Sequence, residues 1–68
     1  MNPTSAEIME VVTKNPYLTT SEIERRLANK RFIHDNTNRR YVGYRLTALR
    51  RSGRVDHTDE RPCRWWAL

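Results

Sequence analysis

The sequence predicts a small α+β domain in which three helices precede a C-terminal β-hairpin. Two capping boxes mark helix starts early in the chain. Residues 37–52 then repeat apolar residues at helical spacing. After them the pattern becomes short, alternating and rich in residues that favour strands. The 68 residues predict one domain, and a chain of this size buries only about 60% of its unfolded surface.

The first helix is predicted over residues 5–14. Thr4 and Glu7 occupy the N-cap and N3 positions of a capping box, in which each side chain bonds the backbone N–H of the other residue. An apolar stripe at i, i+3, i+4 spacing follows, formed by Ile8, Val11 and Val12. Pro16 ends the helix, because the residue before a proline is disfavoured in helical conformation.

The second helix is predicted over residues 20–29, after a short extended piece. Thr19 and Glu22 form the second capping box, and Leu18 and Ile23 are spaced for a hydrophobic staple across the helix start. Residues 30–37 are predicted as a link to the third helix. In that link, Phe32 and Ile33 are expected to fill the gap between the two helices.

The third helix is predicted over residues 37–52 and contains no acidic residue. Val42, Leu46 and Leu49 form its apolar stripe, and Gly53 suits the left-handed position after its last turn. The opposite face carries Arg40, Tyr44, Thr47 and Arg51. Stripes from all three helices are expected to meet in one core that contains Ile8, Val12, Ile23, Leu27, Val42, Leu46 and Leu49.

Residues 54–68 predict a β-hairpin. Val55 should face the helices, and one of the two tryptophans should face them as well, because adjacent strand residues point to opposite sides. We favour Trp66 and Leu68 as the inward pair, which leaves Trp65 exposed. The alternative places Trp65 and Ala67 inward.

The charge distribution favours a polyanionic partner. The net charge is +5, and it is uneven. Residues 1–24 carry one basic and four acidic side chains, whereas residues 25–68 carry twelve basic and four acidic ones. Such an uneven distribution of charge suits a protein that binds nucleic acid. A membrane surface would require a wider apolar helix face than these stripes provide.

Several other classes of function are disfavoured. The chain lacks a signal-peptide pattern and has no apolar run long enough to cross a bilayer. The single cysteine fits a reducing compartment, so a cytoplasmic location is expected. His34, His57 and Cys63 do not have the spacing of zinc ligands. No metal, cofactor or catalytic group is expected, and we expect the protein not to be an enzyme.

The order of elements and three stretches resemble the winged helix-turn-helix family of prokaryotic and phage DNA-binding proteins. The first stretch is residues 18–23, the second is residues 44–53, and the third combines residues 53–55 with residues 65–68. Residues 46–55 carry the pattern leucine, leucine, basic pair, glycine, basic, apolar. The resemblance implies a transcriptional regulator or accessory protein whose third helix enters the major groove of duplex DNA. It implies that the hairpin, or wing, touches the adjacent backbone, although acidic Asp59 and Glu60 at its tip depart from that expectation.

The base-reading candidates are Arg40, Tyr44, Thr47 and Arg51. The phosphate-contact candidates are Arg39, Arg50, Arg54, Arg25, Arg26, Arg61 and Arg64. Trp65, if exposed, could stack on a base or dock a partner. Two alternatives stay open: a protein-interaction module that binds an acidic partner through the arginines and Trp65, and an RNA or single-strand binder. The expected oligomeric state is a monomer or a weak dimer.

Overall fold

The computed structural model describes residues 3–28 and 36–68, and side chains throughout these ranges except in residues 36–40. In chain order the elements are α1 (Ser5–Lys14), β1 (Leu18–Thr19), α2 (Thr20–Ala28), α3 (Asn36–Arg51), β2 (Val55–His57) and β3 (Arg64–Ala67). Three helices and a three-stranded antiparallel sheet within the described residues make this a small α+β structure, as predicted.

Both predicted capping boxes are present. Thr4 donates its N–H to Glu7 Oε1 at 2.9 Å, and its hydroxyl oxygen accepts the N–H of Glu7 at 3.2 Å. Thr19 and Glu22 make the same reciprocal pair at 2.9 and 3.2 Å. These bonds satisfy N–H groups that would otherwise have no partner in the first turn. The starts of α1 and α2 therefore follow directly from local sequence.

The end of α3 is fixed by Gly53, which has a φ of +80°. The Gly53 N–H donates to the Arg50 carbonyl, and the Arg54 N–H donates to the Leu49 carbonyl, both at 3.0 Å. These two bonds form a Schellman motif, in which a left-handed residue turns the chain away from the helix. The predicted role of Gly53 is confirmed, and the turn leads straight into β2.

Strand β3 is the centre of the sheet, with β1 and β2 on either side. Val55 of β2 lies opposite Ala67, and Leu18 of β1 lies opposite Trp65. The hairpin was predicted, whereas the pairing of the extended piece before α2 with β3 was not. That pairing ties the region between α1 and α2 to the end of the chain.

One hydrophobic core joins all three helices to the inner face of the sheet. Its buried members are Ile8, Val11, Val12, Ile23, Leu27, Val42, Leu46, Leu49, Val55 and Trp65. Every residue of the predicted core is among them. Glu24 of α2 is also buried, which the sequence pattern did not indicate.

The favoured orientation of the hairpin was wrong. Trp65 is only 5% exposed, whereas Leu68 is 72% exposed and Trp66 is half-buried. The register gives the reason: Val55 is buried opposite Ala67, and directly opposed residues share a face. Trp65 lies two residues from Ala67 and so faces inward too. Its indole N–H donates to the Thr20 hydroxyl at 3.0 Å, so the buried polar atom has a partner.

Some expectations fall outside the described part of the chain. They concern Phe32, Ile33 and His34 in the link between α2 and α3. Among the helices that the structure describes, none is long and apolar enough to cross a membrane.

Candidate nucleic-acid interface

The outward face of α3 presents three of the four predicted base-reading side chains. Tyr44 is 73% exposed, and Thr47 and Arg51 are exposed as well. They face outward because Val42, Leu46 and Leu49 hold the other side of the helix in the core. We call Tyr44, Thr47 and Arg51 the α3 surface. The fourth candidate, Arg40, and the phosphate candidate Arg39 lie in α3, but their side chains are outside the described set.

The hydroxyl of Thr47 is partly committed within the helix. It donates to the Gly43 carbonyl one turn earlier, at 3.0 Å. A hydroxyl oxygen that donates its hydrogen still has lone pairs for accepting a hydrogen bond. Thr47 can therefore accept from a ligand donor, such as a base amino group, without breaking its bond to the helix.

Gly43 lies beside this surface and leaves room next to the helix backbone. A Cβ atom built at Gly43 would meet nothing within 4 Å. No neighbour in the described structure therefore requires a glycine here, although glycine inside a helix costs about 0.5–1 kcal/mol relative to alanine. The missing side chain exposes backbone to whatever approaches the α3 surface.

Arg51 and Arg54 are two exposed cations near the end of α3. Within the described residues, neither guanidinium has an ion pair or a side-chain hydrogen bond. Arg51 belongs to the last turn of α3, and Arg54 follows the Schellman turn at the start of the hairpin. Both charges are available to an anion.

Arg50 differs from its neighbour Arg51, because the fold supplies it with a carboxylate. Arg50 Nε donates to Asp56 Oδ1 at 2.9 Å. The same oxygen accepts the His57 N–H at 2.8 Å. The Arg50 guanidinium, and after it the His57 N–H, holds the pKa of Asp56 below its usual range. Arg50 was predicted as a phosphate contact, and sequence analysis missed that Asp56 is its partner.

Arg45, which sequence analysis did not single out, is also engaged within α3. Its guanidinium carbon lies 5.6 Å from the centre of the Tyr41 ring, and its Nε donates to the Tyr41 hydroxyl at 3.2 Å. This is a cation–π contact reinforced by a hydrogen bond. Arg45 is exposed, and its guanidinium is engaged with the Tyr41 side chain.

The structure places Arg64 in a network at the start of α2, not beside the α3 surface. Its Nη1 donates to the Tyr17 carbonyl at 3.0 Å and lies 3.7 Å from Glu22 Oε1. Its Nε lies 3.7 Å from Glu60 Oε1. The pKa of Glu22 is lowered, chiefly by the Thr19 N–H of the capping box and more weakly by Arg64. Two carboxylates thus lie within 4 Å of the Arg64 guanidinium and compete with phosphate for its charge.

The remaining phosphate candidates are dispersed. Arg25 and Arg26 are exposed on α2, where they line a shallow cavity of about 300 Å³ with Leu18 and Glu22. Arg61 is exposed in the loop between β2 and β3. These three arginines belong to α2 and to the β2–β3 loop, so the described phosphate candidates come from several elements and not from α3 alone.

The stacking or docking role suggested for Trp65 required an exposed ring, and the buried position of Trp65 removes that basis. Besides Tyr44 on α3, an exposed aromatic group lies on the outer face of the sheet. Tyr17 is 55% exposed, and its ring centre lies 5.5 Å from that of Trp66. Tyr17 has a φ of +68°, a conformation uncommon for residues other than glycine. Sequence alone gave no signal for this pair, because the pairing of β1 with β3 creates it.

Among the described residues, no group of three His, Cys, Asp or Glu side chains is arranged to hold a metal ion. Comparisons of the chain with protein-family models, with curated proteins and with solved structures found no match. Any functional conclusion therefore depends on the geometry and charge of the molecule itself.

Proposed function

We propose that this protein binds duplex DNA by placing α3 in the major groove, as a small transcriptional regulator or accessory DNA-binding protein of the cytoplasm. The observation that carries this proposal is the α3 surface. It presents a phenol, a hydroxyl and a guanidinium on a helix that contains no acidic residue. A solvated face without a binding role usually mixes both signs of charge.

The dimensions and chemistry of α3 suit this role. The major groove is about 12 Å wide and admits one α-helix. Arg51 can donate two hydrogen bonds to a guanine edge, and Thr47 can accept one from a base amino group. Arg54, just beyond the helix, is placed to neutralise a phosphate of the flanking backbone.

We also propose that the fold is a winged helix-turn-helix, with the β2–β3 hairpin as the wing. The order helix, strand, helix, helix, hairpin supports this assignment, as does the pairing of β1 with the second hairpin strand. Asp59 and Glu60 are exposed in the hairpin loop. Because carboxylates repel phosphate, the hairpin contributes to binding through Arg54 near its base and not through its tip.

The experiment that tests this function measures binding to a labelled random-sequence duplex at low salt by fluorescence anisotropy. Arg51→Ala should weaken binding by about 1–3 kcal/mol and relax the sequence preference found by selection from random duplexes, if Arg51 reads a guanine. Arg64→Ala is the matched control, because it removes the same side chain from a site flanked by Glu22 and Glu60. It should change binding far less.

Two results would reject the proposal. One is the absence of duplex binding at low salt, and the other is an equal loss of affinity in Arg51→Ala and Arg64→Ala. Without duplex binding, a protein partner with acidic groups becomes the better explanation of the basic surface, and a binding screen with acidic peptides would follow. An equal loss in the two variants would mean that α3 is not the surface that binds the duplex.

A further inference from the structure

The end of α3 contains two adjacent arginines in different electrostatic surroundings. Arg51 has no ion pair within the described residues. Arg50 donates to Asp56 at 2.9 Å, and that carboxylate comes from β2 and not from the helix. Since α3 contains no acidic residue, the hairpin supplies the negative charge that the sequence of α3 lacks.

The position of Asp56 does not depend on Arg50 alone. Its Oδ1 also accepts the His57 N–H at 2.8 Å, and its backbone is held in the ladder opposite Trp66. The side chains of Arg50 and Asp56 are 51% and 40% exposed. Ion pairs this exposed contribute little to folding stability. The Arg50–Asp56 pair is therefore held in place by the strand and the turn around it, and it contributes little to the stability of the fold.

We infer that Asp56 is an internal counterion that withholds Arg50 from DNA phosphates, and so limits the sequence-independent part of DNA binding. This inference deepens the proposed function and rests on it. Each phosphate that a protein neutralises adds about 0.9 to the slope of log K against log salt. A carboxylate held against Arg50 removes that contribution, whereas Arg54, which has no ion pair within the described residues, retains its own.

The test is Asp56→Asn, which has nearly the same shape and can still accept the His57 N–H. We expect tighter binding to random-sequence duplex and a slope steeper by about one unit, because Arg50 becomes available to a phosphate. Between 50 and 200 mM salt, the variant should therefore lose about 3.5-fold more affinity than the unaltered protein does.

Asp59→Asn is the matched control. It changes net charge by the same amount, but Asp59 is exposed in the hairpin loop and has no ion pair within the described residues. Its slope should change much less. The double variant Arg50→Gln/Asp56→Asn removes both partners and should return the slope to that of the unaltered protein. A thermal melt of each variant checks folding, and Asp56→Ser replaces Asp56→Asn if the latter melts below the assay temperature.

The outcomes separate this inference from the proposed function. If the unaltered protein binds duplex and Asp56→Asn leaves the slope unchanged, or changes it no more than Asp59→Asn does, the inference is wrong and the proposed function stands. If the double variant keeps the steeper slope, Arg50 is not the group released, and the inference is again wrong. If the unaltered protein does not bind duplex at all, both fail.

Discussion

The arginines at the end of α3 and those beside the sheet belong to the same residue type but have different surroundings. Arg51 and Arg54 extend from the last turn of α3 and the turn after it, with no ion pair among the described residues. Arg64 lies between two carboxylates, those of Glu22 and Glu60. Arg50 is next to Arg51 in sequence, yet its ion pair with Asp56 gives it the environment of the second group.

This difference shows that the number of basic residues is a poor guide to an anion-binding surface. The sequence places twelve basic residues in residues 25–68. The fold then pairs some of them with carboxylates that are distant in sequence, as Arg64 is with Glu22. An unpaired guanidinium attracts phosphate more strongly than one that already has a counterion. Among these arginines, Arg51 and Arg54 therefore keep their charge available at the C-terminal end of α3, whereas Arg50 and Arg64 have carboxylate partners.

The two faces of the sheet offer the largest contrast in stability. Trp65 is 5% exposed in the core, whereas Trp66 lies on the outer face against Tyr17. Trp65→Ala should lower the free energy of unfolding by about 3–5 kcal/mol, because it leaves a large cavity. Trp66→Ala should cost clearly less. Denaturant unfolding measures both, and equal losses would contradict the assigned orientation of the hairpin.

The two faces of α3 offer a similar contrast. Leu46 is 0% exposed and Tyr44 is 73% exposed. Leu46→Ala should destabilise the protein by about 2–5 kcal/mol, and Tyr44→Ala by no more than about 0.5 kcal/mol. Urea midpoints of the two variants give the comparison. A stability loss at Tyr44 as large as that at Leu46 would mean that the α3 surface is not free for a ligand.

Replacing Gly43 should have a smaller effect on stability, and one of opposite sign. Because a Cβ atom there would meet nothing within 4 Å, Gly43→Ala should stabilise the protein by about 0.5–1 kcal/mol through its higher helix propensity. If DNA approaches the helix backbone at this point, the same variant should bind duplex more weakly. Ala48→Gly, at an exposed position of the same helix, is the control. It makes the opposite change in helix propensity and should destabilise the protein.

The smallest expected effect is a loss of stability at low pH. Folding lowers the pKa of Asp56 and of Glu22, from ordinary values of 3.8 and 4.5. Carboxyl groups with a lowered pKa stabilise the protein at pH values above their ordinary pKa. This stabilisation is lost as the pH falls through the lowered pKa. Both carboxylates are exposed, so the loss below about pH 4.5 should be slight. Glu22→Gln should reduce this loss of stability, which thermal melts from pH 6 to pH 2 would measure. An equal loss in the variant and in the unaltered protein would mean that these bonds are absent.

Local features of the structure could be predicted from the sequence, and distant pairings could not. The capping boxes, the apolar stripes and the turn at Gly53 involve residues within a few positions of one another, so spacing reveals them. The orientation of Trp65 depends on the register of β2 against β3, which a period-two pattern leaves open by one residue. The Tyr17–Trp66 pair follows from the pairing of β1 with β3, and the Arg50–Asp56 pair from the path of the chain between α3 and β2.

The burial of Glu24 is a further feature that spacing did not reveal. It lies next to Ile23 and three residues before Leu27, so it borders the apolar stripe of α2. A charged residue at such a position is normally assigned to solvent. The packing of α2 against its neighbours encloses it instead, which depends on contacts that a sequence pattern does not contain.

The salt dependence of duplex binding tests most directly whether unpaired arginines form the interface. If about five phosphates are neutralised, the slope of log K against log salt should lie near −4 to −5. Arg54→Ala and Arg64→Ala remove the same charge from an unpaired and a paired site. We expect Arg54→Ala to make the slope shallower by about one unit for every duplex sequence, and Arg64→Ala to leave it nearly unchanged. A shift of equal size in both variants, or a larger one in Arg64→Ala, would contradict this assignment of the interface.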